Sequence, residues 1–219
     1  MITVTAFKWV PPFAAGLVRD LRVRWALEEA GIPYQQRLLD QGEGDTPEYR
    51  ALQPWGQVPV MEEDGFTLFE SGAIVLHIAE RSPALCPPND AGKAKMTQWV
   101  IAALNSVEPH LQNLASIDLF YADEAWAKAR RPGAEAYARL KLAPLAKRLK
   151  DREYLEDRFT AGDLMMVSVL RNVRHTDLVS GDPVLAPYMA RCEARPAFRK
   201  ALSDQLAVFA AHEPQPEPA

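Results

Sequence analysis

Cysteine is scarce in this chain: 219 residues hold only Cys86 and Cys192, far apart and without a Cys-x-x-Cys pair. Neither a disulfide framework nor a cysteine zinc site is indicated, and a reducing compartment is the natural setting. Long hydrophobic runs are missing too. No stretch reaches about 18 uninterrupted apolar residues, and no positive segment precedes an apolar run at the start, so the sequence points to a cytoplasmic protein with neither a span nor a secretory leader. An excess of positive charge is also lacking: 25 Lys and Arg stand against 29 Asp and Glu, a formal net charge of −4. That balance argues against a dedicated nucleic-acid binder and against constitutive membrane attachment. The four histidines, His77, His110, His175 and His212, form no His-x-x-x-His pair and no carboxylate cluster, so no metal site is expected. What remains is an ordinary globular composition, 48% apolar and 25% charged, long enough for one large domain or two small ones.

Residues 2–7 are short and β-branched and read as a strand, ended by Pro11-Pro12. Over 13–30 apolar residues interleave with charged ones, including Arg19, Asp20, Arg22 and Arg24, which predicts an amphipathic helix closed by Gly31 and Pro33. A second strand is expected at 34–39 and a short helix at 47–52. Two apolar runs at 58–61 and 66–69 flank an Asp64-Gly65 centre, a hairpin signal, and helical spacing resumes over 71–80. The order is therefore β-α-β-α-β-β-α. Residues 82–92 hold three prolines and a glycine, which is linker chemistry, and no convincing strand follows.

Beyond the linker, Trp99, Val100, Ala103, Leu104, Val107, Leu111, Leu114 and Ile117 share one helical face, with a kink expected at Pro109, and 134–149 form a helix interrupted by Pro144. Thr160-Ala161-Gly162-Asp163 is a capping box opening a helix over 164–173. Asp182-Pro183 and Arg195-Pro196 start the last two helices, and 213–219 reads as a disordered tail. The expected organisation is an α/β domain at 1–81, a linker at 82–92, an all-helical domain at 93–212 and the tail. Charge divides along the same line: residues 1–80 carry 6 basic and 12 acidic side chains, and the remainder 19 and 17. Within the second half, 128–152 hold nine Lys or Arg against Glu135 and Asp151, a pattern that reads as a solvated helix face.

The informative stretch is Gln53-Pro54-Trp55-Gly56-Gln57-Val58-Pro59-Val60, followed by Glu70-Ser71-Gly72-Ala73-Ile74. Pro59 has no N–H for a ladder bond and predicts an irregular junction, which leaves the Val58 N–H and C=O open to an extended peptide ligand. Glu70 and Ser71 fall where a strand turns into a helix, so a carboxylate sits beside a hydroxyl and free helix N–H groups. That pattern fits a zwitterionic amino-acid head, its ammonium on Glu70 and its carboxylate at Ser71.

Pro-x-Gly-Gln-Val-Pro-Val followed at this distance by Glu-Ser-x-Ala-Ile strongly resembles the cytosolic glutathione transferases. The resemblance implies a thioredoxin-like N-terminal domain, an all-helical C-terminal domain, and Thr160 and Asp163 as the family's capping box. It implies glutathione as cosubstrate, with Val58 main chain on the cysteinyl unit, Pro59 cis, Glu70 and Ser71 on the γ-glutamyl end, and Gln57 on the glycine carboxylate. It further implies a homodimer and a second, hydrophobic substrate whose pocket includes the region of Phe120 and Tyr121. No metal, nucleotide or flavin is implied.

One departure stands out. Family members place a Tyr, Ser or Cys where the first strand meets the first helix, and none of the three occurs between Ala6 and Gly31. A thiol of pKa about 8.5 is a few per cent ionised near neutral pH, so a group that fully ionises it raises the reactive fraction only about ten- to thirtyfold. Losing it weakens catalysis without forbidding it. Arg19 and Trp9 flank the position and can donate hydrogen bonds, which makes them the candidate thiolate stabilisers, alongside the first helix N-terminus. The alternative function is a non-catalytic module of this fold that holds glutathione or a protein.

Overall fold

The computed structural model describes residues 1–40 and 42–214. Backbone contacts divide the chain into two units, one formed by Met1–Ile78 with a second stretch beginning at Pro196, the other by Ala79–Arg195. The last helix, expected in the all-helical domain at 93–212, groups with the first unit. The part of the expected tail at 215–219 lies outside the described residues.

In the first unit, β1 (Ile2–Phe7) leads through turns to α1 (Asp20–Ala30), β2 (Tyr34–Leu39), α2 (Pro47–Leu52), β3 (Val60–Glu63), β4 (Phe66–Phe69) and α3 (Ser71–Ala79). The sheet order is β2-β1-β3-β4. β1 and β2 run parallel, while β3 is antiparallel to both β1 and β4. This is the expected thioredoxin-like arrangement. The second strand of the hairpin starts and ends as predicted, but β3 begins at Val60 instead of 58, because Pro59 has no N–H to enter the ladder. α1 begins at Asp20, not 13. The preceding residues are turns, and Gly16, at φ 76°, occupies the left-handed region that no helical residue can adopt.

α1 also differs in character from the expected amphipathic helix, since every residue from Asp20 to Leu27 is buried. Its three inward charges are not solvated. Arg24 Nε donates to Asp20 Oδ2 at 2.6 Å, one turn away, and Arg24 Nη2 donates to Gln36 Oε1 of β2 at 2.7 Å. The helix that covers α1 is α9 (Pro196–Ala211). Its Gln205 donates to Asp20 Oδ1 at 2.7 Å and to the Val18 carbonyl at 3.3 Å. Trp25 meets Phe198 edge to face at 4.8 Å, and Lys200 pairs with Glu28 at 3.1 Å. Burial pushes the Asp20 carboxyl above its ordinary pKa, while Arg24 and Gln205 pull it down.

The second unit contains α4 (Asp90–Ile101), a π-helical stretch Ala102–Val107, α5 (Glu108–Phe120), α6 (Ala125–Leu149), α7 (Ala161–Leu170), a 3-10 turn Arg171–Val173 and α8 (Leu185–Glu193). The kink expected at Pro109 is taken up by the π stretch just before it, where the ladder must accommodate a residue that lacks an N–H. Pro144 does not interrupt its helix. α6 runs through both Pro132 and Pro144. Asp182 caps α8, accepting the N–H groups of Val184 and Leu185 at 2.8 and 2.9 Å.

α7 is buried along almost its whole length and packs against α4 closely enough that a Cβ on Gly162 would stand 2.6 Å from Trp99 Cβ. Its capping box closes. Thr160 N–H donates to Asp163 Oδ2 at 3.0 Å and the Thr160 hydroxyl accepts Gly162 N–H at 3.1 Å. Asp163 Oδ1 further accepts Leu155 N–H at 2.8 Å and the Tyr188 hydroxyl at 3.0 Å. Burial raises the Asp163 carboxyl from 3.8 to about 6 against these hydrogen bonds.

A carboxyl whose pKa is higher folded than unfolded lets the native state hold more protons between the two values. Stability contributed by Asp163 is therefore expected to fall as pH rises from about 4 to about 6, by up to about 3 kcal/mol. Urea midpoints measured across that window should fall more steeply for the native protein than for Asp163→Asn, which does not titrate; parallel profiles refute the assignment. Asp163→Ala, which strands the N–H groups of Leu155 and Thr160 and the hydroxyls of Thr160 and Tyr188, is expected to cost about 3 kcal/mol or more at any pH.

Candidate functional site

The register of the hairpin decides which residues meet. Val60 pairs with Phe69 and Val4 with Met61, so the start of β3, the end of β4 and the end of β1 lie along one edge of the sheet. Val58 and Pro59 enter that edge just before β3, and Glu70 and Ser71 leave it just after β4. The structure thus brings together four residues that the sequence separates by more than a whole hairpin. Gln57 sits beside them, exposed.

The loop that carries Val58 is held from beneath. Tyr49, fully buried on α2, donates to the Gln57 carbonyl at 2.7 Å and shares a hydrogen bond with the Thr5 hydroxyl at 3.1 Å. Thr5 in turn accepts the Val60 N–H at 2.6 Å. Both sides of the Val58-Pro59 dipeptide are therefore pinned to the core, where Val58 and Val60 pack with Tyr49 and Leu39. The dipeptide bond is cis. Between these pins, neither the Val58 N–H nor its C=O has a hydrogen-bond partner among the described residues. Upstream, Gly56 is at φ 67°, and a Cβ there would stand 2.5 Å from the Gly44 carbonyl oxygen, so only glycine suits the approach.

Glu70 is exposed and has φ 70°, an unusual left-handed conformation for a residue other than glycine. Its carbonyl accepts Ile74 N–H at 3.0 Å, so it is the residue at which strand becomes helix. The conformation costs on the order of 1–2 kcal/mol and persists where surrounding structure enforces it. Ser71, the first residue of α3, is 4% exposed, and its hydroxyl accepts a hydrogen bond from Arg22 Nη1 at 3.2 Å. α3 begins here, so the amides of its first turn have no intrahelical acceptors and face the same edge as a source of partial positive charge.

Arg22 was hidden in the sequence. In an alternating stretch it reads as one charge of a solvated face, yet it is 3% exposed and reaches from α1 to the head of α3. The contact also fixes where α1 begins relative to the edge. Arg19 occupies the N-cap of α1, half-buried and without a side-chain capping bond. Trp9 is half-buried just beyond β1, and among the described residues its indole N–H has no partner. Thr5, the hydroxyl residue nearest the end of β1, is fully buried and committed to Tyr49 and Val60.

Phe120 and Tyr121 belong to the second unit, at the end of α5. With Trp126 they form an exposed aromatic cluster, ring centroids 6.5 and 5.1 Å apart. An open cleft of about 850 Å³ lies in the first unit between Glu28, Tyr34 and Lys200, at the opposite end of α1 from the edge described above. Among the described residues no group of three or more His, Cys, Asp or Glu is arranged to hold a metal ion, and no helix is long and apolar enough to cross a membrane.

Residues 4–80 match the glutathione S-transferase N-terminal domain. Glutathione S-transferase F10 of Arabidopsis thaliana is 30% identical over 167 residues, which covers 71% of this chain and 74% of that protein. A probable maleylacetoacetate isomerase 2 of Drosophila melanogaster is 30% identical over 191 residues, covering 82% and 81%. Among solved structures, a glutathione transferase of Burkholderia graminis with two glutathione molecules bound per subunit superposes with a TM-score of 0.80 at 26% identity, over 92% of this chain and 87% of that one. Two-thirds or more of each of these proteins is matched, and the chain belongs to the glutathione S-transferase family.

Proposed function

We propose that this protein is a glutathione transferase, acting as a cytoplasmic homodimer, that binds glutathione at the sheet edge and passes its sulfur to a hydrophobic electrophile or uses it to reduce a peroxide or disulfide. The observation that carries this reading is the unpaired Val58 backbone beside the left-handed Glu70. An extended tripeptide supplies the antiparallel partner that the Val58 N–H and C=O lack, and its cysteinyl unit is thereby fixed in register. Glu70 takes the γ-glutamyl ammonium, Ser71 and the first turn of α3 take the carboxylate, and Gln57 donates to the glycine carboxylate. Pro59 shapes the junction between them.

Held this way, the cysteinyl sulfur points toward the start of α1. Its proton leaves to solvent, and the thiolate is favoured by the α1 N-terminus with the Arg19 guanidinium or the Trp9 indole N–H as donor. The thiolate then attacks the electrophilic carbon, forming the C–S bond as the leaving group departs with the electron pair. Phe120 and Tyr121 supply aromatic surface for the hydrophobic partner. Both cysteines of the chain are buried, Cys192 with its thiol pushed up by burial, so the reactive sulfur is that of glutathione.

Glu70→Gly separates the two properties of that residue. Relief of the left-handed backbone is expected to raise stability by about 1 kcal/mol in urea unfolding, while glutathione affinity falls about ten- to a hundredfold through loss of a charged partner. Undiminished affinity sinks the site assignment. For the thiolate, ultraviolet titration of bound glutathione is expected to show its pKa raised in Trp9→Ala or Arg19→Ala; a variant whose bound thiol titrates as in the native protein removes that candidate. Glutathione binding with no turnover on electrophiles, peroxides or disulfides identifies a binding module, the outcome that the missing hydroxyl favours.

A further inference from the structure

A guanidinium carries five N–H donors and no acceptor, so in any hydrogen bond to a hydroxyl the oxygen must accept. The contact between Arg22 Nη1 and Ser71 Oγ at 3.2 Å therefore has one sense only. With a lone pair of Oγ committed to Arg22, the single hydroxyl proton is directed away from it. Among the described residues no acceptor takes that proton, although Ser71 is 4% exposed. A nearly buried hydroxyl with a vacant donor, backed by a buried cation and flanked by first-turn amides of α3, is built to receive an anion. Glu70, the neighbouring residue, bears the opposite charge on an exposed side chain. The pair thus separates the two charges of an amino-acid head.

We infer that Arg22 is the specificity-determining residue of the site: by accepting nothing and donating to Ser71, it holds the hydroxyl proton toward the ligand and selects peptides whose N-terminal residue presents a free α-carboxylate. Resting on the glutathione reading above, this role distinguishes a γ-linked glutamyl peptide, which keeps that carboxylate, from an ordinary α-linked peptide, which does not. Through Ser71, Arg22 acts on the ligand as a positioning residue, and through its charge it strengthens the hydrogen bond that Ser71 donates.

The test uses two tripeptides that differ only at the carboxylate: glutathione, and γ-aminobutyryl-cysteinyl-glycine, in which it is replaced by hydrogen. Their dissociation constants are measured by calorimetry for the native protein, Arg22→Met, Arg22→Lys and Ser71→Ala. The native protein is expected to favour glutathione by about ten- to a hundredfold, the worth of a charge-assisted hydrogen bond. Arg22→Met should lose that preference while its affinity for the decarboxylated peptide stays within about twofold, and Arg22→Lys should recover part of it. Equal weakening of both peptides means that Arg22 merely ties α1 to α3 and overturns the inference. A native protein that binds both equally overturns it too and leaves the glutathione site standing, whereas binding neither removes the glutathione reading and this role together. Should Arg22→Met lose its near-ultraviolet dichroism, Ser71→Ala with Arg22 in place carries the same comparison, and an unchanged preference there is equally fatal.

Discussion

The structure of the first unit depends on one ion pair in its interior. Asp20 and Arg24 are almost fully excluded from water, and a carboxylate in such a place is tolerated only when its lone pairs are filled. Arg24 fills one side and Gln205 the other. Because Gln205 comes from α9, the burial of the first turn of α1 is completed by the last helix. Arg24 in turn reaches β2 through Gln36, so the same pair fixes the helix to both the sheet and the covering helix. Two polar atoms of this cluster, Arg24 Nη1 and Gln205 Oε1, remain buried without a partner among the described residues, which marks it as a compromise between charge satisfaction and packing.

From that anchoring follows the geometry of the sheet edge. α1 begins where Asp20 is held, Arg22 projects from its first turn onto Ser71, and α3 begins at the residue that Arg22 contacts. On the other side of the edge, Thr5 and Tyr49 pin the segment around Val58 from the sheet and from α2. The groups along that edge are thus backbone amides, a hydroxyl and a carboxylate set on a frame pinned from both sides. The bulk charge of this part of the chain is negative, so the positive character at the edge comes from the buried Arg22 and the first-turn amides of α3, not from the overall field.

Much of this was legible in the sequence because it is local. The Asp64-Gly65 turn declares the hairpin, Pro59 declares the break before it, and the spacing from Val58 to Ser71 is set by a hairpin whose length can be counted. Thr160 and Asp163 are visible for the same reason: a capping box is four residues long. What escaped is what depends on neighbours far along the chain. Alternating charge in α1 imitates an amphipathic surface helix, and nothing within the helix says that Asp20, Arg22 and Arg24 all find buried partners. The π-helical stretch before Pro109 and the uninterrupted passage of α6 through Pro144 are likewise decisions made by packing, where local preference is weak enough to be overruled.

Gln205 and Asp20 lie 185 residues apart, yet they share a hydrogen bond in the interior of one unit. On a ribosome the strands and α1 emerge early, while the amide that completes their core follows only after the whole helical middle of the chain. The first unit is therefore discontinuous in sequence, and its core closes through a contact of high sequence separation, the kind whose loop-closure cost slows folding. The middle is in effect an insertion between two stretches of a single unit, and a chain cut short before α9 leaves the buried Asp20 without the Gln205 amide that fills its second oxygen.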